Sequence, residues 1–158
     1  VGETVFMGIL DDFELVYVDH VDSLDHALRL TPQIGRRHSA HATALGKVLL
    51  ANLPANMFEM YLSSANQLPR LTDNTITDPA MLRQELVLTC QRGYALDNEE
   101  SETGICCIAM PVYNVEGQVV AAVSISGPAT RIRKKGLETN LKDELEAALA
   151  KVSQLTIV

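Results

Sequence analysis

Three side chains that can donate, accept or attack lie on two neighbouring segments late in the chain. Cys107 belongs to an apolar run from Cys106 to Tyr113, and Ser124 and Ser126 belong to another from Gln118 to Ser126. Along the second run Val120, Ala122, Ser124 and Ser126 share one face of a strand, and Cys107 shares a face with Ala109 in the first. Asn114-Val115-Glu116-Gly117 joins the two as a hairpin. A two-residue loop of Glu116-Gly117 sets Cys107 opposite Ser126, and a four-residue loop sets it opposite Ser124. A three-residue loop parts the thiol from the hydroxyls. A thiol and two hydroxyls on one sheet face have two readings. They are small core residues that accommodate a helix, or they line a cavity holding water or ligand, since burying them without partners is costly.

Other polar groups offer less specific chemistry. Thr43-Ala44-Leu45-Gly46 opens a helix with small residues, and free N–H groups at a helix start can receive a carboxylate. Asp97 to Glu102 holds Asp97, Glu99, Glu100 and Glu102, which reads as a solvated loop; its spacing matches no calcium loop. Arg36, Arg37, His38 and His41 read as a basic surface loop. His41 and Cys107 could share a zinc ion, but spacing fixes no third ligand. There is no Gly-rich phosphate loop, Gly-x-Ser-x-Gly elbow or His-Glu-x-x-His stretch. A Cys107 nucleophile with His41 as its base ranks below a binding role.

The elements that must position these groups follow from pattern and composition. Thr4 to Leu10 and Phe13 to Val21 predict a hairpin turning at Asp11-Asp12, and Ala27 to Leu30 predicts a short third strand. Ala42 to Asn52 predicts a helix with Leu45, Val48 and Leu49 inward and Thr43 as cap, and a shorter helix follows from Pro54 to about Leu62. Thr77 or Asp78 caps a helix whose stripe is Leu82, Leu86 and Cys90, stopped by Gly93. The last helix is expected from about Gly136 to Leu155, with Leu137, Leu141, Leu145, Leu149 and Val152 inward and Glu138 beside Lys142. Strands with helices between and after them imply an α+β domain with a mainly antiparallel sheet.

The chain's 158 residues suit one domain. At 47% hydrophobic residues it is no disordered tail, and 13 Lys+Arg against 20 Asp+Glu give a net charge of −7, a poor surface for nucleic acid. No apolar run spans a bilayer and no secretory signal opens the chain. The three cysteines, Cys90, Cys106 and Cys107, read as free thiols of a reducing cytoplasm. The abrupt start, without an initiator Met, reads as a fragment whose upstream part is missing.

Several segments together resemble one known family. They are Ile34-Gly35-Arg36-Arg37, His41-Ala42-Thr43-Ala44-Leu45-Gly46-Lys47, Leu71-Thr72-Asp73-Asn74-Thr75-Ile76-Thr77-Asp78 and Arg92-Gly93-Tyr94-Ala95-Leu96-Asp97-Asn98-Glu99-Glu100. Gly104-Ile105-Cys106-Cys107-Ile108-Ala109-Met110-Pro111-Val112 and Ala121-Ala122-Val123-Ser124-Ile125-Ser126-Gly127-Pro128 complete the series. In this order they resemble the effector-binding domain of IclR-type transcriptional regulators. The resemblance implies a GAF-like fold, a curved antiparallel sheet with helices that holds a small metabolite over one face. It implies an effector site of Ala44, Leu45, Asp97, Cys107, Ser124 and Ser126, with Met7, Leu30 and Met110 as softer expectations for apolar walls. Asp97 would accept from a ligand hydroxyl or be protonated against an anion.

The expected ligand is a small carboxylate, and the expected assembly is a homodimer or homotetramer. Operator DNA would be met only through a winged helix-turn-helix domain upstream, and no membrane contact, metal, cofactor or catalysis is expected. Some family members hold a metal in this cavity, which leaves the His41/Cys107 reading as an alternative. A structural or oligomerising domain with a vestigial pocket is another. Where glyoxylate- and pyruvate-responsive members carry Ser-Gly-Ala-Gly, this chain has Thr43-Ala44-Leu45-Gly46. Leu45 is bulkier than that alanine, so the smallest ligands are not carried over with the resemblance.

Overall fold

The computed structural model describes residues 1–26, 30–31, 34–64 and 68–155. Its centre is an antiparallel sheet of six strands in the order β3-β2-β1-β6-β5-β4. The strands are β1 Thr4–Asp11, β2 Glu14–Val21, β3 Arg37–Ser39, β4 Ala95–Asn98, β5 Ile105–Tyr113 and β6 Val119–Pro128. The helices are α1 Ala44–Ala51, α2 Ala55–Ser64, α3 Pro79–Arg92, α4 Ala129–Lys135 and α5 Lys142–Leu155. This is the expected α+β architecture.

The sheet separates two apolar clusters, because side chains of successive strand residues point to opposite faces. On one face Phe6, Leu15, Ala109 and Ala122 meet Leu45, Val48 and Leu49 of α1 and Leu82 and Leu86 of α3. On the other, Cys106, Ile108, Met110 and Ile125 meet Ile132, Leu141 and Leu145. The vicinal cysteines therefore face opposite ways, and all three thiols are free.

Helix α1 is a core helix, buried from Ala44 to Leu50. Thr43 caps it as expected, its Oγ1 accepting from the Gly46 amide at 3.1 Å. A short 3₁₀ turn over Ala40–Ala42 runs against the helix start so closely that a Cβ on Gly46 would lie 2.2 Å from the Ala40 carbonyl oxygen. Helix α3 is capped by Asp78, whose Oδ1 accepts from the Met81 amide at 2.8 Å, and stops at Gly93 with φ 80°.

Several expectations are corrected. The predicted third strand over Ala27–Leu30 is not observed at Leu30, and residues 27–29 lie outside the described residues; β3 lies later, at Arg37–Ser39. The buried stripe of α3 continues to Thr89 while Cys90 is exposed, because 3.6 residues per turn carry it to the seventh residue beyond Leu82. The expected single last helix is preceded by a separate α4. A π turn over Leu137–Leu141 then leads into α5, with the Leu141 amide donating to the Gly136 carbonyl at 3.1 Å. That wider turn upsets the spacing between Glu138 and Lys142, so Glu138 accepts from the Tyr94 hydroxyl and Lys142 pairs with Glu146 at 3.0 Å; Val152, in the last turns of α5, is exposed rather than inward.

Gly46→Ala opposes two effects. Alanine improves helix propensity by about 1 kcal/mol, but its methyl would overlap backbone, and overpacking costs about 1–3 kcal/mol or more. Urea denaturation should show a net loss of stability; an unchanged or raised midpoint would contradict the close approach.

Candidate functional site

The pairing register lays one row of side chains across the face that α1 covers. Tyr17 of β2 pairs with Gly8 of β1, and Phe6 of β1 with Ser124 of β6. Cys107 of β5 pairs with Ser126 of β6 and with Asp97 of β4, while His38 of β3 pairs with Leu15 of β2. A cavity of about 430 Å³ lies between this row and the start of α1. Phe6, Tyr17 and His38 form its aromatic wall, and Asp97, Cys107, Ser124 and Ser126 its polar wall. Thr43, Ala44 and Leu45 lie at the helix start.

The hairpin reaches this register by an unexpected route. Tyr113 pairs with Val119 and the Asn114 amide donates to the Gln118 carbonyl, so the loop is the three residues Val115–Gly117. A plain three-residue loop would have parted Cys107 from the serines. Val112, however, pairs with Ala121, leaving Val120 as an extra residue, and this irregularity restores the shared face.

Each polar group has a defined environment. The Gly46 amide is taken by Thr43 Oγ1 and the Lys47 amide by the Thr43 carbonyl at 2.9 Å. Helix geometry leaves the amides of Ala44 and Leu45 without intrahelical acceptors, at the positive end of the helix dipole. The Ser124 and Ser126 hydroxyls lie 3.1 Å apart, both buried. Asp97 Oδ1 accepts from the amides of Glu100 (2.7 Å) and Ser101 (3.3 Å), and Oδ2 accepts from the Ser101 hydroxyl. Burial raises the Asp97 carboxyl above its usual range, against the pull of these hydrogen bonds and of Lys47. Burial, with Asp97 beside it, likewise pushes the Cys107 thiol up.

The acidic loop is anchored from beneath. Lys47, only 1% exposed, projects from α1 and donates to both Glu100 oxygens at 2.7 and 2.8 Å. Thr75 Oγ1 donates to the Glu100 carbonyl at 2.7 Å, Thr72 Oγ1 to the Glu99 carbonyl at 2.6 Å, and Asn74 Nδ2 to the Asn98 carbonyl at 3.0 Å. The Leu71–Asp78 segment thus clamps the turn that presents Asp97.

A family model described as the bacterial transcriptional regulator IclR C-terminal matches residues 1–154. The chain belongs to the IclR family, as its C-terminal domain. It is 37% identical over 148 residues to the HTH-type transcriptional regulator BhcR of Paracoccus denitrificans, covering 93% of this chain and 52% of that protein. It therefore spans about half the length of this relative. A transcriptional regulator from Rhodococcus superposes with TM-score 0.90 at 33% identity, over 98% of this chain and 62% of that one. The inducer-binding domain of PobR from Acinetobacter, a double mutant in complex with 3-hydroxybenzoic acid, superposes with TM-score 0.86 at 30% identity. That match covers 96% of this chain and 88% of the PobR domain.

In this IclR-type domain all six expected site residues, Ala44, Leu45, Asp97, Cys107, Ser124 and Ser126, line the one cavity, and so does Leu30. Met7 and Met110 do not, because Met7 pairs with Val123 and Met110 with Val123 as well, on the opposite side of the sheet. The acidic run is not a solvated loop throughout, since Asp97 and Glu100 are buried. His41 is buried with its ring nitrogen 3.0 Å from the Pro69 carbonyl, and it does not line the cavity that Cys107 lines. Among the described residues no three His, Cys, Asp or Glu side chains are grouped to hold a metal.

Phe6, Tyr17 and His38 were outside the expected site. The alternation of Leu15, Tyr17 and the Phe6 segment marks inward faces, but only pairing with β6 and β3 shows what they face. The buried pair offers a direct test. Glu100→Gln leaves the buried ammonium with only the Glu85 carboxylate, at 3.7 Å, and in urea denaturation should cost somewhat less than the loss of about 3–5 kcal/mol for a fully broken buried pair. Lys47→Met combined with Glu100→Leu should recover much of that. Additive losses in the double variant would show that the two side chains do not act as a pair.

Proposed function

We propose that this domain is a ligand sensor that binds a small carboxylate metabolite and so modulates operator binding by a DNA-binding domain elsewhere in the protein. One arrangement carries the reading. Ala44 and Leu45, the first residues of a capped core helix, line the same cavity as Ser124 and Ser126, and helix geometry leaves their amides without intrahelical acceptors. A carboxylate there would accept charge-assisted hydrogen bonds from the amides, with the serines adding donors. Asp97 and Cys107 would shape the opposite end of the ligand.

The 430 Å³ cavity falls in the range of about 300–1,000 Å³ usual for small-molecule sites. The PobR inducer-binding domain, an aligned relative in complex with 3-hydroxybenzoic acid, supports the choice of an acid. We further propose a cytoplasmic homodimer or homotetramer that acts without catalysis, its relatives being named as transcriptional regulators. Among the described residues no helix is long and apolar enough to cross a membrane.

A thermal-shift screen against 2-oxo acids, hydroxy acids, aromatic acids and sugar acids tests the proposal. An acid at 100 times its dissociation constant should stabilise the domain by about 2.7 kcal/mol. Ser124→Ala and Ser126→Ala should each weaken that acid about tenfold. Silence across all classes from an intact fold would favour a structural or oligomerising role with an empty pocket.

A further inference from the structure

Tyr17 is a cavity residue whose hydroxyl makes no hydrogen bond to another described residue. Its ring is held from both sides, tilted against Phe6 with centroids 5.2 Å apart and edge-to-face with His38 at 4.8 Å. Both neighbours line the same cavity, so the phenol has a fixed direction. No hydrogen bond of its hydroxyl is found among the described residues. The only buried side-chain nitrogen or oxygen without a partner there is His38 Nε2, on the ring that meets Tyr17 edge-on, and Tyr17 itself lines the cavity. Asp97 and Cys107 on the opposite wall act electrostatically on the phenol. Burial, Cys107 and Asp97 together raise it far above its ordinary range, which makes it a neutral hydroxyl.

Across the cavity Asp97 accepts three hydrogen bonds, from the Glu100 and Ser101 amides at one oxygen and from the Ser101 hydroxyl at the other. A carboxylate has about four acceptor positions, so room for another donor remains. One wall thus offers an oriented donor and the other an anchored acceptor.

We propose that Tyr17 and Asp97 form a second polar subsite that recognises a hydroxyl on the body of the ligand. The domain would then select hydroxylated carboxylates over their unsubstituted counterparts. A hydroxyl is the group that can accept from Tyr17 and donate to Asp97 at once, and the aromatic wall of Phe6 and Tyr17 suits a flat or C–H-rich body. The inference rests on the carboxylate reading above, with the acid group at Ala44 and Leu45. Tyr17 would be a specificity-determining residue, because an acid lacking the hydroxyl would leave buried polar groups unpaired.

The test is calorimetric titration with two matched pairs, 3-hydroxybenzoate with benzoate and gluconate with hexanoate. In at least one pair the hydroxylated acid should bind the wild-type domain at least tenfold more tightly. Tyr17→Phe, which keeps the ring, should reduce that ratio at least fivefold while leaving the affinity for the unsubstituted acid within twofold. Equal affinities within both pairs, or a ratio that survives Tyr17→Phe, would overturn the hydroxyl subsite and leave the carboxylate reading standing. Silence toward all four acids, joined to silence in the wider acid screen from a folded wild-type domain, would remove both. Even if the variant folds poorly, equal wild-type affinities within both pairs overturn the proposal.

Discussion

The arrangement of the cavity depends on one buried ion pair. Lys47 and Glu100 lie 53 residues apart in sequence and join α1 to the turn after β4, with both Glu100 oxygens engaged. Removing two charges from water is expensive, and such a pair contributes less to stability than its contact distance suggests. Its consequence here is positional. The Glu100 amide donates to Asp97, so fixing Glu100 against α1 also fixes the carboxylate that faces the cavity. The same helix presents the Ala44 and Leu45 amides one turn before Lys47. The proposed anion-binding end and the proposed acceptor end are therefore referenced to a single element.

Around that pair the sheet divides its labour by parity. Odd and even positions of β5 send Cys107 toward the cavity and Cys106 into the opposite cluster, and β6 sends its two serines to the cavity and Ile125 away from it. The cluster beneath, closed by Ile132, Leu141 and Leu145, supports the polar face without contributing polar atoms to it. Gly46 completes the geometry, since only a residue without a side chain lets the Ala40–Ala42 turn lie against the helix start. The clamp from Thr72 and Thr75 explains why a polar irregular stretch can be well ordered: its hydroxyls replace the pairing that a strand would provide.

Much of this was legible in the sequence. The alternation around Ser124 and Ser126, the cap at Thr43 and the Asp78–Gly93 helix follow local rules, and the structure has each of them. The failures are informative. Strand β3 is only three residues long, and β4 buries an aspartate, so neither shows an apolar alternation. The burial of Glu100 depends on a lysine 53 residues away, which no window of sequence reveals. The hairpin register came out right through a bulge that compensates a three-residue loop, a combination that pattern alone does not contain. Nothing in the local pattern singles out Tyr17 and Phe6, because only the sheet pairing brings them to the cavity.

The central claim is that the start of α1 is where the acid group of a ligand is held. It is tested most directly by following the backbone amide resonances of Ala44 and Leu45 in isotope-labelled protein titrated with pyruvate, gluconate and 3-hydroxybenzoate. The account predicts that at least one of these acids moves both resonances downfield in a saturable way. Saturable changes confined to the groove of Leu10, Phe13, Met57 and Met60, or to any other surface, with Ala44 and Leu45 unmoved, would contradict it.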